Sequence, residues 1–322
     1  MSEGNQKVIG ILCGQERAFP NSFITDINEK YGSQGVRAEY CVISPPEVGQ
    51  LCKYDVIVDR ISHEVPYYRT YLKHAALQGV LIANNPMSWT SQDDKFFAYR
   101  LANMAGVVTP RTVLLPQKEY MEGVEPKTLH NMTHPVEWER LLEYVGVPAI
   151  VKPNSGGGWK HVYKVESVRQ LLEVFDRTGQ MNMILQEFID FDKFVRCVCI
   201  GRDQILTLRY DPKHPNFFKR YHVDSDYLQG ELRTRVTRDS IALNKILAYD
   251  MNSVEFAIKD DIPYAIDFTN PAPDMDRASV QPANFEIIVE WMEKFMVKVA
   301  LEGRKTADEL PYEERLKELK AK

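Results

Sequence analysis

The chain has 322 residues, of which 44% are hydrophobic and 26% charged, so it is long enough for two or three globular domains. Its net charge of −5 excludes a generally basic surface and gives no reason to expect a nucleic-acid partner. The five cysteines fit no zinc pattern, and we expect them to be reduced. The opening "MSEGNQK" lacks an apolar signal segment, and no apolar run is long enough to cross a membrane. We therefore expect a cytoplasmic protein without a membrane partner.

The first 85 residues alternate between short apolar runs and helical patterns. The runs at 7–13, 38–43, 54–60 and 79–84 predict strands, and helices are predicted at 21–33 and 66–77. This alternation predicts βαβ units and a parallel sheet whose ligand end lies at the carboxyl ends of its strands. Residues in the loops after the strands are candidates for holding a substrate, namely Gly14, Arg60 and His63. Asn84 and Asn85 follow the last strand at the same end.

A helix is predicted at 91–106, a strand at 110–115 and a long polar connection at 117–136. The stretch "AIVKPNSGGGWKHVYKV" (149–165) then places three glycines between two β-like segments. It is not a P-loop, because Gly-Lys-Ser/Thr is missing and no helix follows directly. A hairpin tip of this kind can fold its backbone N–H groups over an anion, with Lys152 reaching the phosphates from the entering strand. A flexible hairpin with a solvated lysine is an equally good reading of this stretch alone.

The segment "ILQEFI" (184–189) is an apolar strand that ends in Gln-Glu. Such a hinge exposes backbone groups that can read an adenine edge, with Phe188 and Ile189 packing on the ring. Taken alone, the segment is better explained as a plain buried strand.

The last third predicts two antiparallel hairpins, 195–201 with 204–210 and 253–258 with 263–268. A polar, aromatic-rich stretch lies at 211–234, and an amphipathic helix runs over 284–303. In the second hairpin Glu255 and Asp267 can face each other, and Asn270 lies just beyond. Paired carboxylates repel unless a cation lies between them, and these oxygen ligands suit Mg²⁺. The alternative is that one carboxylate points to solvent while the other pairs with an arginine.

In this order, the motifs from about Asp94 to Asn270 resemble the ATP-grasp superfamily, in particular the glutathione synthetase-like and ribosomal-protein-S6 glutamate ligase-like branch. The resemblance implies an α/β fold, α+β in its C-terminal part, preceded by a parallel βαβ domain. It implies domains at 1–90, 91–186 and 187–303, with a charged tail at 304–322.

The resemblance also assigns roles to individual residues. The residues that it places around ATP are Lys95 and Lys152 on the phosphates, Gly156, Gly157 and Gly158 as the lid, Glu187, Phe188 and Ile189 as the adenine hinge, and Asp192 or Lys193 on the ribose. Those it places at the reacting end are Arg196 and Arg209, which with Lys152 are the candidate catalytic residues. Those it assigns to one or two Mg²⁺ ions are Glu255, Asp267 and Asn270.

Two features depart from the family pattern. The metal element is one residue longer than the usual acid-x-Asn, and the loop 211–230 is bulky and carries Lys219, Arg220 and His222. We therefore expect an acceptor different from those of standard glutathione or S6 ligases. The resemblance implies an ATP-dependent carboxylate–amine ligase that acts through an acyl phosphate on an amino acid or small peptide. A small-molecule kinase and a non-catalytic ATP-binding regulator are the alternatives. The apolar face of 285–303 and the first domain are candidate surfaces for a homo-oligomer.

Overall fold

The structure is a computed structural model that describes residues 6–125, 129–224 and 226–306. Within these residues the strands form three sheets, of four, four and five strands. Each sheet is built from one contiguous part of the chain. The predicted boundaries at 90 and 186 fall near the changes of sheet and that at 303 follows the last described helix, but the division into domains stays a prediction. Most of the predicted charged tail lies outside the described residues.

The first sheet is parallel, with the strand order β2-β1-β3-β4. Its elements are β1 (Lys7–Leu12), α1 (Ala18–Tyr31), β2 (Val36–Tyr40), β3 (Val56–Asp59), α2 (Pro66–Leu77) and β4 (Leu81–Ala83). Apolar side chains are buried on both of its faces, as near-continuous apolar runs predict for a parallel sheet. The predicted βαβ region is confirmed.

The helix predicted at 91–106 is two helices, α3 (Trp89–Gln92) and α4 (Lys95–Met104). Asp94 takes an extended conformation between them, and its carboxylate accepts a hydrogen bond from Phe97 N at 2.9 Å. It is therefore the N-cap of α4, and Lys95 is the first residue of that helix.

The second sheet is antiparallel in the order β5-β8-β6-β7. Its elements are β5 (Thr112–Leu114), α5 (Trp138–Val145), β6 (Ala149–Pro153), β7 (Tyr163–Val165), α6 (Val168–Phe175) and β8 (Met183–Glu187). The three glycines join β6 to β7, so the predicted hairpin is confirmed. A separate apolar core lies between this sheet and its two helices.

The third sheet is antiparallel in the order β11-β10-β9-β12-β13. Its strands are β9 (Lys193–Ile200), β10 (Gln204–Tyr210), β11 (Tyr221–His222), β12 (Met251–Lys259) and β13 (Ile262–Asp267). Both predicted hairpins are confirmed. The helices of this region are α7 (Gly230–Ile246), which the sequence did not predict, α8 (Arg277–Val280) and α9 (Pro282–Glu302).

The two faces of the third sheet have different partners. One face packs against α4 and α7. The other shares a core with α9, α1 and the first sheet. The apolar face of α9, including the buried Ile288 and Val299, is thus used inside the chain rather than offered to a second copy. Homo-oligomer formation stays a prediction. None of the helices in the described ranges is both long and apolar enough to cross a membrane.

Asn84 joins the first sheet to the third. Its amide nitrogen donates to Met251 O at 2.8 Å and Pro271 O at 2.9 Å, and its amide oxygen accepts from Asp250 N and Met251 N at 2.7 and 2.8 Å. The side chain is buried, and all four bonds cross from the end of β4 to the third sheet or the loop that follows it. The sequence placed Asn84 at the ligand end of the first sheet, but its side chain serves to fix the two sheets together.

Candidate active site

The glycine loop is anchored at its beginning and open at its tip. Asp93 accepts hydrogen bonds from Gly156 N at 2.8 Å and, through its backbone carbonyl, from Ser155 Oγ at 2.7 Å. Gly156 and Gly158 have φ values of +80° and +75°, in the region that favours glycine. A Cβ added at any of the three glycines would meet nothing within 4 Å. The tip is therefore free to approach a ligand below it.

Lys95 and Lys152 both lie near Asp267, and Lys95 is also bonded to the glycine loop. Lys95 is buried, and its Nζ donates a hydrogen bond to Gly156 O at 2.5 Å. Lys152 Nζ donates to Tyr99 Oη at 3.0 Å and to Ile266 O at 2.9 Å, so it links β6 to α4 and β13. Burial opposes the charged form of Lys152, but Tyr99 and Asp267 outweigh burial and leave its pKa above the ordinary value. The positive charges of both ammonium groups also lower the pKa of Asp267.

Arg196, Glu255 and Asp267 form a row across three neighbouring strands. Glu255 pairs with Arg196 of β9 on one side and with Asp267 of β13 on the other. The predicted facing of the two carboxylates is confirmed. Arg196 Nε lies 3.4 Å from Glu255 Oε1, and all three side chains are buried or half-buried. The row therefore holds one positive and two negative groups on one face of the sheet.

The two carboxyl groups have opposite pKa shifts. Burial raises the pKa of Glu255, and the charge of Asp267 acts in the same direction. Burial acts against ionisation of Asp267 too, but there the cations prevail. Lys95, Lys152 and Arg196 together hold the pKa of Asp267 below its usual range. One carboxylate is thus ready to bind a cation, while the other is more readily protonated in the free protein.

The row and its neighbours offer hard oxygen ligands. With its amide oxygen turned toward the strand, Asn270 accepts from Ser253 Oγ at 2.8 Å and from Arg196 Nη2 at 3.0 Å. Thr269 Oγ1 is buried and has no hydrogen-bond partner within the described ranges. Because an orphaned buried oxygen beside paired carboxylates suits a cation, these residues fit Mg²⁺. No cluster of three or more His, Cys, Asp or Glu side chains suited to a metal occurs in the described ranges, so phosphate oxygens would have to complete the coordination.

The predicted adenine hinge follows β8 directly. The Glu187 carboxylate pairs with Arg111 of the loop before β5 at 3.2 Å, so its side chain is directed away from a ligand. Phe188 is half-buried, with Lys164 Nζ 4.8 Å from its ring centre, and Ile189 is 7% exposed. The adenine contact stays a prediction, and it concerns the backbone of Glu187 rather than its carboxylate.

The two ribose candidates, Asp192 and Lys193, both lie near the turn between β12 and β13. Asp192 Oδ2 accepts from Asp260 N at 3.1 Å and is thereby bound to the turn between β12 and β13. Lys193 lines a cavity of about 580 Å³ with Tyr227 and Arg235, on the α7 side of the third sheet. The structure therefore does not bring Lys193 to the lysines and carboxylates.

Arg209 also lies outside the cluster. Tyr210, the next residue along β10, faces Arg196, so Arg209 points to the opposite side of the sheet. There it pairs with Asp224 at 3.1 Å and lies 4.9 Å from the Tyr227 ring centre. The geometry lends no support to its predicted catalytic role.

The charged side chains of the bulky loop at 211–230 do not all lie on the same side of the third sheet. Arg220 Nε donates to His214 O at 2.9 Å, and its guanidinium carbon lies 5.9 Å from the ring centre of Trp159 at the glycine-loop tip. Lys219 is exposed, and His222 pairs with Arg209 on the far side. Of the three substrate candidates in this loop, only Arg220 is brought near the glycine loop.

Sequence reasoning missed several residues that surround Arg196. Its guanidinium carbon lies 5.3 Å from the Tyr210 ring centre and 5.9 Å from that of Tyr221. Burial raises the pKa of Tyr221, so its hydroxyl stays protonated, and this buried oxygen has no hydrogen-bond partner within the described ranges. The negative charge of Asp274 raises the pKa of both Arg196 and Tyr221, so Asp274 lies near both. The alternation of side chains along β10 could have shown that Tyr210 and Arg209 face opposite sides of the sheet.

The candidates of the first sheet lie at the carboxyl ends of β1 and β3. Arg60 is 4% exposed in its side chain and pairs with Glu16 at 2.7 Å. His63 Nε2 lies 3.7 Å from Glu64 Oε1, and burial lowers the pKa of the imidazole. Gly14 O accepts from Arg17 Nη1 at 2.9 Å. The prediction that these loops meet at one end of the sheet is confirmed.

Comparison with known proteins supports this architecture. No protein-family profile matches the chain. A D-alanine–D-alanine ligase from Bacillus anthracis is 26% identical over 200 residues, which are 59% of this chain and 60% of that relative. The chain thus spans three fifths of the length of this curated relative.

Solved structures match over more of the chain. A D-alanine–D-alanine ligase from Bacillus anthracis complexed with ATP has a TM-score of 0.62 at 19% identity, covering 92% of this chain and 97% of that one. A RimK domain ATP-grasp protein from Sphaerobacter thermophilus has a TM-score of 0.62 at 16% identity, covering 89% and 98%. The chain therefore has the ATP-grasp fold, as the resemblance of its motifs implied. Among the proteins it is similar to are D-alanine–D-alanine ligases.

Proposed function

We propose that the protein is an ATP-dependent ligase that joins a carboxylate to an amine through an acyl phosphate, on an amino acid or a small peptide. The observation that carries this proposal is the grouping of Lys95, Lys152 and Glu255 around Asp267, with Lys95 bonded to the glycine loop. This arrangement provides two cations for phosphates and two carboxylates for Mg²⁺. The ATP-bound relative of the same fold supports the use of ATP.

The reaction needs positioning and charge neutralisation more than covalent help from the protein. A carboxylate oxygen of the acid attacks the γ-phosphorus of ATP, and ADP leaves. The amine nitrogen then attacks the carbonyl carbon, loses a proton and displaces phosphate, which leaves an amide. Lys95 and Lys152 hold the phosphates during the first step. When bound at Glu255, Asp267 and Asn270, Mg²⁺ would neutralise charge on the transferring phosphoryl group.

Arg196 contributes a fixed positive charge beside the row of carboxylates. Its contacts with Tyr210 and Tyr221 keep it in one orientation, so it can face negative charge that develops on the acyl phosphate. The glycine loop, once closed over the phosphates, excludes water that would hydrolyse this intermediate. Catalytic roles are thus proposed for Lys152 and Arg196.

The substrates belong to the class of amino acids or short peptides, as in the relatives named D-alanine–D-alanine ligases. The loop at 211–224 would form part of the binding site for the amine substrate, because Arg220 lies beside Trp159 of the glycine loop. Residues in this loop would therefore select the amine.

The test is a panel of amino acids and dipeptides, D-alanine included, with ATP and Mg²⁺. ADP release is measured by a coupled assay, and amide products by mass spectrometry. We expect ADP release to require both an acid and an amine and to match amide formation. Phosphorylation of a hydroxyl group without an amide would replace the ligase by a kinase. Tight ATP binding without turnover on any panel member would indicate a regulator.

A further inference from the structure

The strand order of the first sheet predicts a crevice between the loops that follow β1 and β3. The strand order β2-β1-β3-β4 places β2 on one side of β1 and β3 on the other. In open parallel sheets, ligands bind outside the carboxyl ends of the strands at such a reversal of strand order. The two loops approach closely there, since a Cβ on Gly14 would lie 3.0 Å from Ile61 Cδ1.

The carboxylates of this crevice are already bound. Glu16 Oε1 accepts from Arg60 Nη2 at 2.7 Å, and Glu16 Oε2 accepts from Arg60 Nε at 3.0 Å. Asp59 Oδ1 accepts from the backbone N–H groups of Ile61 and Ser62, and Asp59 Oδ2 accepts from Ser62 Oγ. Neither of these two carboxylates is therefore free for an incoming ammonium group.

Two buried guanidinium N–H groups, in contrast, lack a hydrogen-bond acceptor in the described ranges. Arg60 Nη1 and Arg69 Nε are both buried and have no hydrogen-bond partner in the described ranges. Arg69 is held from the other side, because its Nη2 donates to Ser62 O at 3.1 Å and its guanidinium carbon lies 3.5 Å from the Trp89 ring centre. A buried donor without an acceptor costs free energy that a ligand oxygen would recover.

His63 lies in the field of both arginines. Its pKa is lowered mainly by burial, and the charges of Arg60 and Arg69 lower it further. The imidazole is therefore neutral near pH 7 and adds no charge of its own. Arg69 also lies in the field of Asp93, which holds Gly156 N. Arg69 is therefore close enough to the anchored end of the glycine loop to be affected by the charge of Asp93.

We propose that this crevice binds a carboxylate that the reaction does not consume, with Arg60 as a specificity-determining residue and Arg69 as its neighbour. The inference rests on the proposed ligase function, because it assigns a part of the substrate. A guanidinium group suits a carboxylate in charge and geometry. The substrate concerned is an amino acid, a peptide or a dicarboxylic acid with a free carboxylate, and a simple amine does not fit.

The test measures binding by isothermal titration calorimetry to the full chain loaded with Mg²⁺ and a non-hydrolysable ATP analogue. The probes are glutarate, which has two carboxylates and no amine, D-alanine, which has one of each, and D-alaninamide, which has the amine alone. We expect at least one carboxylate probe to bind and D-alaninamide to fail. Binding of glutarate assigns the carboxylate to the acid substrate, and binding of D-alanine alone assigns it to the amine substrate.

Arg60→Gln should weaken binding of the carboxylate probe by roughly 10-fold or more, the effect typical of one lost charged hydrogen bond. Arg140→Gln, at an exposed arginine of α5 that pairs with Glu137, is the matched control and should leave binding unchanged. Because Arg60→Gln leaves Glu16 without its partner, the double variant Glu16→Gln/Arg60→Gln serves if the single variant fails to fold.

Three results would overturn the inference: no binding of either carboxylate probe at millimolar concentration, equal binding of D-alanine and D-alaninamide, or unchanged binding to the folded Arg60 variants. Binding of the ATP analogue to the unmodified chain is measured first. If the unmodified chain does not bind the ATP analogue, that result counts against the proposed ligase function. A chain that binds the analogue but no carboxylate contradicts only the crevice assignment.

Discussion

Glu255 and Asp267 are partners in one hairpin, yet their carboxyl groups respond to pH in opposite ways. The pKa of Glu255 is raised, chiefly by burial, whereas three neighbouring cations lower that of Asp267. Glu255 therefore takes up a proton at a higher pH than an ordinary glutamate, and Asp267 keeps its charge to a lower pH than an ordinary aspartate. This difference gives each residue its own pH signature.

Glu255→Gln should stabilise the metal-free protein as the pH rises. The stability that Glu255 contributes is complete below its ordinary pKa of 4.5 and is lost as pH rises through its raised pKa. The neutral glutamine avoids this loss, so the gain over the unmodified chain grows by up to about 1.4 kcal/mol per pH unit across that window. Urea unfolding over a pH series without Mg²⁺ measures it. A gain that does not change with pH would contradict the raised pKa.

Asp267→Asn should show the opposite sign. The stability that Asp267 contributes is present above its ordinary pKa of 3.8 and is lost as pH falls through its lowered pKa. The asparagine variant should therefore be less stable at neutral pH, with a deficit that shrinks in acid. The same urea series measures it. Both substitutions should also remove stabilisation of the chain by Mg²⁺ with ATP, and retention of that effect in either variant would exclude that carboxylate as a metal ligand.

Lys152→Ala should lower kcat/KM for ATP by roughly 100-fold or more, because a buried charge that faces the phosphates is lost. It should also lower the free energy of unfolding by about 3 kcal/mol, since Asp267 loses a cation. ADP release and urea unfolding measure the two effects. Lys118→Ala, at an exposed lysine paired with Asp176, is the control. ATP turnover that survives Lys152→Ala in a folded chain would remove this residue from the phosphate site.

At the scale of elements, two adjacent aspartates have separable tasks. Asp93 holds the glycine loop through Gly156 N, whereas Asp94 caps α4 through Phe97 N. Asp93→Ala should loosen the loop, raise KM for ATP and speed tryptic cleavage at Lys160 several-fold. Asp94→Ala should cost about 1 kcal/mol of stability, as N-cap losses do, without that selective cleavage. Equal cleavage rates in the two variants, at matched stability, would show that Asp93 does not anchor the loop.

The elements also show what the sequence predicts well. Alternating apolar runs predicted the parallel sheet and both hairpins, because periodicity reports directly on which face is buried. Helix α7 escaped prediction because its buried face includes Asp239, Ser240 and Asn244, which interrupt the apolar stripe. The position of Lys193 escaped it too, because the direction in which a strand residue points follows from register, and register is set by long-range pairing.

At the scale of the site, residue types and their order predicted the lysines, the glycine loop and the carboxylate pair. Spacing did not reveal Tyr221 or Asp274, which lie in the cluster around Arg196 only because β11 and the loop after β13 fold back onto it. The catalytic role predicted for Arg209 stays a prediction, although the residue beside it, Tyr210, is the one that faces Arg196. Such ambiguities are expected where two neighbouring residues both suit a ligand but face opposite sides of one strand.

At the scale of the whole molecule, Asn84 fixes the first sheet to the third. Asn84→Ala removes four buried hydrogen bonds and should lower the free energy of unfolding by about 3 kcal/mol. Urea unfolding measures this loss. Asn103→Ala, at an exposed asparagine bonded to Thr109, should change stability by about 0.5 kcal/mol at most. A similar small change for Asn84→Ala would mean that the shared apolar core alone holds the two sheets together.

The register of β13 limits where the chain can change in length. Glu255 pairs with Asp267 while Phe256 pairs with Ala265, so Ile266 is an extra residue, and its carbonyl accepts from Lys152 and Tyr99. Deleting one residue between 263 and 266 would remove this bulge and displace the carbonyl that accepts from Lys152 and Tyr99. Insertions and deletions should therefore be tolerated in the turn at 260–261 and rejected within the strand, a pattern that a library of single-codon deletions would reveal.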